Sequence, residues 1–277
     1  MPFYSQKQVL NLKLSSIPAP KLAKLADELG VARQRSAAET IKRILAAQPS
    51  DTTINRFIRQ EYIQKIQTRR QLISDTDLKQ ELARVETFSW GIEQGQIDRK
   101  IQTEYVRRIV RYDELLRSVS ARLQADITNY VICTWFNHWT TVLIEEHLGV
   151  HPAIVPTLKS IKGIDLFFDG QPFDLKVTYV PRGYDATRVL HNPTDLAIWM
   201  YEHQGEQRFG KDNRLFIVLL DTKNPHESWK LKREFDLVFS QIDDFFNREK
   251  ITERDEIVFT YKGKSYTAVT KVLLITK

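Results

Sequence analysis

Apolar residues recur three and four apart through roughly the first 150 positions, and from about residue 160 this gives way to short apolar runs bounded by turn residues. The first pattern lays one stripe of a helix against a core, whereas the second marks strands. Ile164 to Phe168, Phe173 to Val180, Leu215 to Leu220, Glu256 to Tyr261 and Val269 to Ile275 read as strands, with an amphipathic helix from Ser228 to Phe246 among them. Short hairpin links mixed with long crossovers imply an α/β fold: a mixed central sheet with flanking helices, preceded by an all-helical N-terminal region. At 277 residues the chain exceeds one typical core, so an extra helical module is expected beside the sheet domain.

Within the helical part, Pro20 to Ala47 reads as two short helices. Leu22, Leu25 and Leu29 line the first and Gly30 ends it; Ser36 caps a second, lined by Ile41, Ile44 and Leu45. The pair resembles a SAP-like or other helix-hairpin DNA-binding module, and a plain hairpin packed on the rest would leave the same pattern. The break at Gln48-Pro49-Ser50-Asp51 divides residues 1–49 from a helical lead-in and sheet domain over 50–277. Helices are then expected from Thr52 to about Ile73, near residues 99 to 120, and from Ile127 to His147, the last stopped by Gly149.

Charge narrows the partners. The formal net charge is +6, yet residues 1–73 alone hold thirteen Lys/Arg against five Asp/Glu. A basic N-terminal quarter favours a polyanion such as DNA, although a solvated helix face gives the same count. The single cysteine, Cys133, rules out an internal disulfide and a multi-thiolate zinc site, so any metal is held largely by oxygen. With no run of eighteen apolar residues and no secretory leader in MPFYSQKQVLNLKL, the chain reads as soluble and cytoplasmic, with no membrane partner.

The stretch that carries chemistry is Lys162-Gly163-Ile164-Asp165-Leu166-Phe167-Phe168-Asp169-Gly170-Gln171-Pro172-Phe173-Asp174-Leu175-Lys176-Val177-Thr178. Two apolar strands flank an Asp-Gly turn. With Gly170-Gln171 as the turn pair, Asp165 falls opposite Lys176 and Asp174 lies two residues along; with Asp169-Gly170 the register moves by two. In both, Asp165, Asp174 and Lys176 share one face. Two carboxylates and an ammonium on one face suit a hard cation such as Mg2+ and a phosphate oxygen beside it.

Asp-x-Lys alone proves little, since it occurs four times. Asp77-Leu78-Lys79 and Asp98-Arg99-Lys100 lie in helical segments, where residues two apart point apart. Asp221-Thr222-Lys223 is preceded nine residues earlier by Asp212, but one unturned strand would hold those carboxylates roughly 30 Å apart.

Gly163-Ile164-Asp165 followed by Pro172-Phe173-Asp174-Leu175-Lys176-Val177-Thr178 resembles the signature of the PD-(D/E)XK nuclease superfamily of restriction endonucleases. The resemblance implies that Asp165 and Asp174 bind Mg2+ with the Leu175 carbonyl, that Lys176 assists the chemistry, and that a helical Glu joins them. Ile164 stands where the family's letters have Pro. On the helix before the sheet, Glu145 falls in i, i+4 register with Asn137 and Thr141 and is chosen as that acid, with Glu146 the alternative. His138, His147 and His151 lack ligand spacing and receive no metal; Trp135 and Trp139 read as core. The resemblance implies a Mg2+-dependent, site-specific endonuclease of type II restriction kind, acting on double-stranded DNA as a homodimer. The alternatives are a structure-specific repair or recombination nuclease and a non-catalytic DNA-binding protein. The N-terminal basic helices and the loop Pro181 to Asn192, with Arg182, Arg188 and His191, are the candidate base readers.

Overall fold

The computed structural model describes residues 3–32, 34–88, 94–203 and 212–277. The chain forms two compact units, Met1–Leu72 with Ile144–Lys277, and Ile73–Leu143.

The first unit begins with four helices, α1 (Gln6–Ser15), α2 (Ala19–Glu28), α3 (Ala37–Ala46) and α4 (Asp51–Arg70). Ser5, Ser36 and Ser50 start three of them by accepting the backbone N–H three residues on, and Gly30, at φ +65°, follows the end of α2. The break at Gln48 to Asp51 separates α3 from α4, but the helices on both sides share one apolar cluster. Leu14, Ile17, Leu22, Leu25 and Ile44 are buried with Ile54, Phe57 and Ile58, and with Val155 and Phe167 of the sheet. The described helices α1 to α3 thus pack in the same apolar cluster as α4 and the β1–β2 end of the sheet.

The second unit contains α5 (Asp75–Ala83), α6 (Gln94–Lys100), α7 (Tyr112–Ser118) and the start of α8 (Gln124–Val150). The helix expected over 99 to 120 is interrupted: after Val106 the chain leaves the helix and re-enters it at Tyr112. Arg107 and Arg111 would repel one turn apart, and β-branched Ile109 and Val110 between them add little helix propensity. Along α8, Ile127, Val131, Ile132 and Trp135 are exposed, so Trp135 is a surface residue and not the core residue its spacing suggested.

Gly149 does not stop α8, which continues to Val150. A Cβ at Gly149 would come within 2.2 Å of the Tyr62 ring, so the glycine serves a close approach to α4.

The sheet comprises β1 (Ile154–Ile161), β2 (Ile164–Phe168), β3 (Gln171–Tyr179), β4 (Arg214–Leu220), β5 (Glu256–Tyr261) and β6 (Lys264–Thr276), in the order β1-β2-β3-β4-β6-β5. β1 escaped the sequence reading because Pro156, Lys159 and Ser160 interrupt its apolar pattern. The β3–β4 crossover carries α9 (Ala186–His191) and α10 (Pro193–Glu202), so the stretch read as a loop from Pro181 to Asn192 contains a helix. The helix expected over Ser228 to Phe246 divides into a tight helical stretch at Pro225–Arg233 and α11 (Phe235–Arg248). The architecture is therefore mixed α/β, with a helical region ahead of a six-stranded mixed sheet. Among the described residues no helix is long and apolar enough to cross a membrane.

β3 changes partner along its length. Its first residues pair antiparallel with β2, ending at Leu166 opposite Phe173, and from Asp174 onward it pairs in parallel with β4. Leu166, Phe168, Phe173 and Leu175 pack on one face with Ile144 and Leu148 of α8 and Val238 and Ile242 of α11. On the other face Phe167 meets the N-terminal helices, while Phe216 and Val218 meet α10. The polar residues of β3 emerge where β2 and β4 part company.

Candidate active site

Asp169 and Gly170 have φ of +45° and +73°, the geometry of a two-residue hairpin turn that favours Asp-Gly. Pairing of Phe168 with Gln171 and of Leu166 with Phe173 makes Asp169-Gly170 the turn pair. Of the two registers left open by the sequence this is the second. Carried one step further, it sets Asp165 opposite Asp174, not opposite Lys176, with Lys176 two residues along on the same face.

Asp174 is 9% exposed and its Oδ2 carries two cations. Arg214 Nε donates to it at 2.7 Å and Lys176 Nζ stands 3.3 Å away. Asp165 lies where the β2–β3 ladder opens, and its Oδ2 accepts the Leu175 backbone N–H at 2.8 Å. Crowding withdraws water from the Asp165 carboxyl although its outer edge stays open. That desolvation raises its pKa above the usual value, and the nearby Asp174 charge adds to the rise against the Leu175 hydrogen bond. The N–H and C=O of one strand residue point to the same side, so the Leu175 carbonyl also turns toward β2.

Glu145 and Glu146 are distinguished by their partners. Glu146 forms a two-pronged ion pair with Arg69. Glu145 lines a cleft of about 240 Å3 together with Asp165, Leu175, Lys65 and Lys159. Burial pushes the Glu145 carboxyl up to about 6, helped by the Asp165 charge and opposed by Lys65, Lys232 and Lys176. Tyr62 Oη donates to the Glu145 carbonyl at 3.2 Å and fixes the end of α8.

Two residues of the site were missed by the sequence reading. Arg214 is 3% exposed in a strand whose residues are all buried. Lys232, also 3% exposed, has its ammonium pulled down to about 8 by burial, with Glu145 opposing the fall. The available signal was a charged residue at the head of an apolar run, Arg214 ahead of Leu-Phe-Ile-Val-Leu-Leu.

Other candidates have local work. Asp221 Oδ1 accepts the N–H groups of Lys223 and Asn224 and closes a turn, while Asp77 and Asp98 lie in helices. His147 Nε2 meets Asp243 Oδ1 at 2.8 Å with its ring stacked on Phe239, and His151 Nδ1 accepts the Ala153 N–H. Arg188 pairs with Asp195 and lies over the Tyr184 ring. Several N-terminal cations are used inside the fold: Lys13 with Asp51, Lys21 and Lys24 with Glu61, and Arg59 on the carbonyls of Pro152 and Ile154. Part of the basic excess is therefore structural.

Among the described residues no three His, Cys, Asp or Glu side chains are already gathered closely enough to hold an ion. The donor set is nonetheless of the kind Mg2+ uses: all oxygen, with one or two carboxylates and the remaining positions left to water and substrate. Asp165, Asp174 Oδ1 and the Leu175 carbonyl fit it. Comparison with family models, curated proteins and solved structures found no match to the chain. The site stands on its own geometry.

Proposed function

We propose that this chain is a Mg2+-dependent DNA endonuclease of the PD-(D/E)XK type, with a restriction-endonuclease-like sheet domain. The observation that carries the reading is the approach of Asp165 to Asp174 where β3 changes partner, with Lys176 on the Asp174 carboxylate and Glu145 sharing a cleft with Asp165. Asp165, Asp174 and the Leu175 carbonyl would hold the ion, with Glu145 at the edge of the site beside Asp165. Bound there, Mg2+ supplies charge to a phosphate oxygen and lowers the pKa of nearby water. Lys176, 40% exposed along its side chain, reaches outward to orient the attacking water or to stabilise charge growing on phosphorus. Lys65 and Lys159 on the cleft wall attract the phosphodiester.

The proposed substrate is double-stranded DNA cut at specific sites, with two copies of the chain supplying one site per strand. Support for pairing lies on α8, where Ile127 to Ile144 contains no Asp, Glu, Lys or Arg and Ile127, Val131, Ile132 and Trp135 are exposed. The test is incubation of the purified chain with mixed-sequence plasmid DNA in Mg2+ or EDTA. Discrete fragments in Mg2+ alone, lost in Asp174→Ala, are expected. A smear would point to a repair or recombination nuclease using the same residues. Binding without any cut would indicate a non-catalytic DNA-binding protein, and undiminished cutting by Asp174→Ala would remove the site assignment.

A further inference from the structure

Asp165 lies one residue beyond the Leu166–Phe173 pair and its side chain interacts with that of Asp174, and like charges this close across a strand pair destabilise a sheet. Asp174 is also largely buried, where a charge without a counter-ion is costly. The metal-free fold meets both costs through Arg214. The parallel register sets Arg214 beside Asp174, its Nε bonds Oδ2 at 2.7 Å, and its guanidinium lies 5.3 Å from the centre of the Tyr201 ring. Tyr201 is itself fully buried and tied by its hydroxyl to the Asp212 carbonyl at 2.7 Å. Arg214 is thus held rigidly, whereas Lys176 approaches the same oxygen at 3.3 Å from a side chain 40% exposed.

We propose that Arg214 is a positioning residue: it stands in for the cation when the site is metal-free and keeps Asp174 Oδ2 occupied, so that Asp174 offers the metal only Oδ1. This rests on the metal-dependent reading above. The two cations then divide the work. Arg214 aims the carboxylate from within the sheet, and Lys176 remains available at the surface for the reaction.

Thermal unfolding of the full chain in EDTA and in saturating MgCl2 tests this without any cleavage assay. Arg214→Met should lower the metal-free Tm by roughly 10 °C, the scale for breaking a buried ion pair in a chain of this size. Mg2+ should then raise the Tm of Arg214→Met by more than it raises that of the parent, because the ion relieves a repulsion the arginine no longer offsets. Arg214→Lys, which keeps the charge, should fall between the two. Arg214→Met/Asp174→Asn removes both charges and should recover much of the metal-free Tm while losing the Mg2+ response. Equal Mg2+ increments in parent and Arg214→Met would show an arginine that merely stabilises the sheet. A double variant no more stable than Arg214→Met would also overturn the proposal. A parent chain with no Mg2+ increment would instead sink the metal-dependent reading itself, and Arg214's role with it.

Discussion

Glu145→Gln separates stability from activity. The Glu145 carboxyl is pushed from its usual 4.5 up to about 6, so the folded chain holds that proton more tightly than the unfolded chain does. Stability from this group is therefore fully present below about 4.5, declines as pH rises through about 6, and is at its lowest at pH 7.5. The rise corresponds to at most about 2 kcal/mol. Because the residue retains solvent exposure, screening reduces this to about 1 kcal/mol, or a Tm change of about 2 to 4 °C. Glu145→Gln removes the ionised form with little change of shape. In EDTA at pH 7.5 the variant should melt about 2 to 4 °C above the parent, and at pH 4 the two should coincide. Mg2+-dependent cleavage should nevertheless fall. Calorimetry at both pH values decides: no gain at pH 7.5, or the same gain at pH 4, would refute a carboxyl whose ionised form is penalised chiefly by burial.

Lys176→Ala should bind DNA with Ca2+ yet cut on the order of 100- to 1000-fold more slowly, while Lys223→Ala cuts nearly as the parent does; single-turnover rates distinguish them. Gly149→Ala drives a methyl into the Tyr62 ring and should cost about 1 to 3 kcal/mol by chemical denaturation, with any loss of cleavage exceeding what that unfolding explains. Val131→Asp places a charge on the exposed apolar side of α8 and should convert a dimer to monomers by sedimentation, removing any dependence of the Tm on protein concentration.

The hairpin was legible because its signals are local. Asp-Gly between apolar runs names the turn, and strand alternation places three functional groups on one face whichever register is chosen. Deciding the register required the Phe168–Gln171 pair, which sequence spacing alone does not select. Glu145 over Glu146 was undecidable for the same reason, since the difference is made by Arg69, seventy-seven residues away along the chain. Arg214 stayed hidden because a buried arginine makes sense only beside the acid it pairs with, forty residues earlier. Gly149 misled because a helix-ending glycine and a glycine vacated for a neighbour's ring look alike until the ring is seen. The N-terminal basic count overstated the free positive charge for a similar reason: Glu61 and Asp51 consume lysines from other helices.

The change of partner along β3 bears on the order in which the chain assembles. The β2–β3 hairpin closes over a two-residue turn, whereas Asp174 and Arg214 meet only after a forty-residue crossover has folded. Short loops close sooner than long ones, and parallel pairing is the slower event. We expect a refolding chain to form its acidic hairpin first and to hold both carboxylates in loose, hydrated positions until β4 docks. On the proposed metal-dependent reading, Mg2+ affinity would then arrive only with the β3–β4 pairing, so that a partly unfolded chain carries the residues of the site without their arrangement. Stopped-flow refolding followed by strand signal and by metal uptake would show the second lagging the first; simultaneous appearance would place the β3–β4 pairing in the initial step.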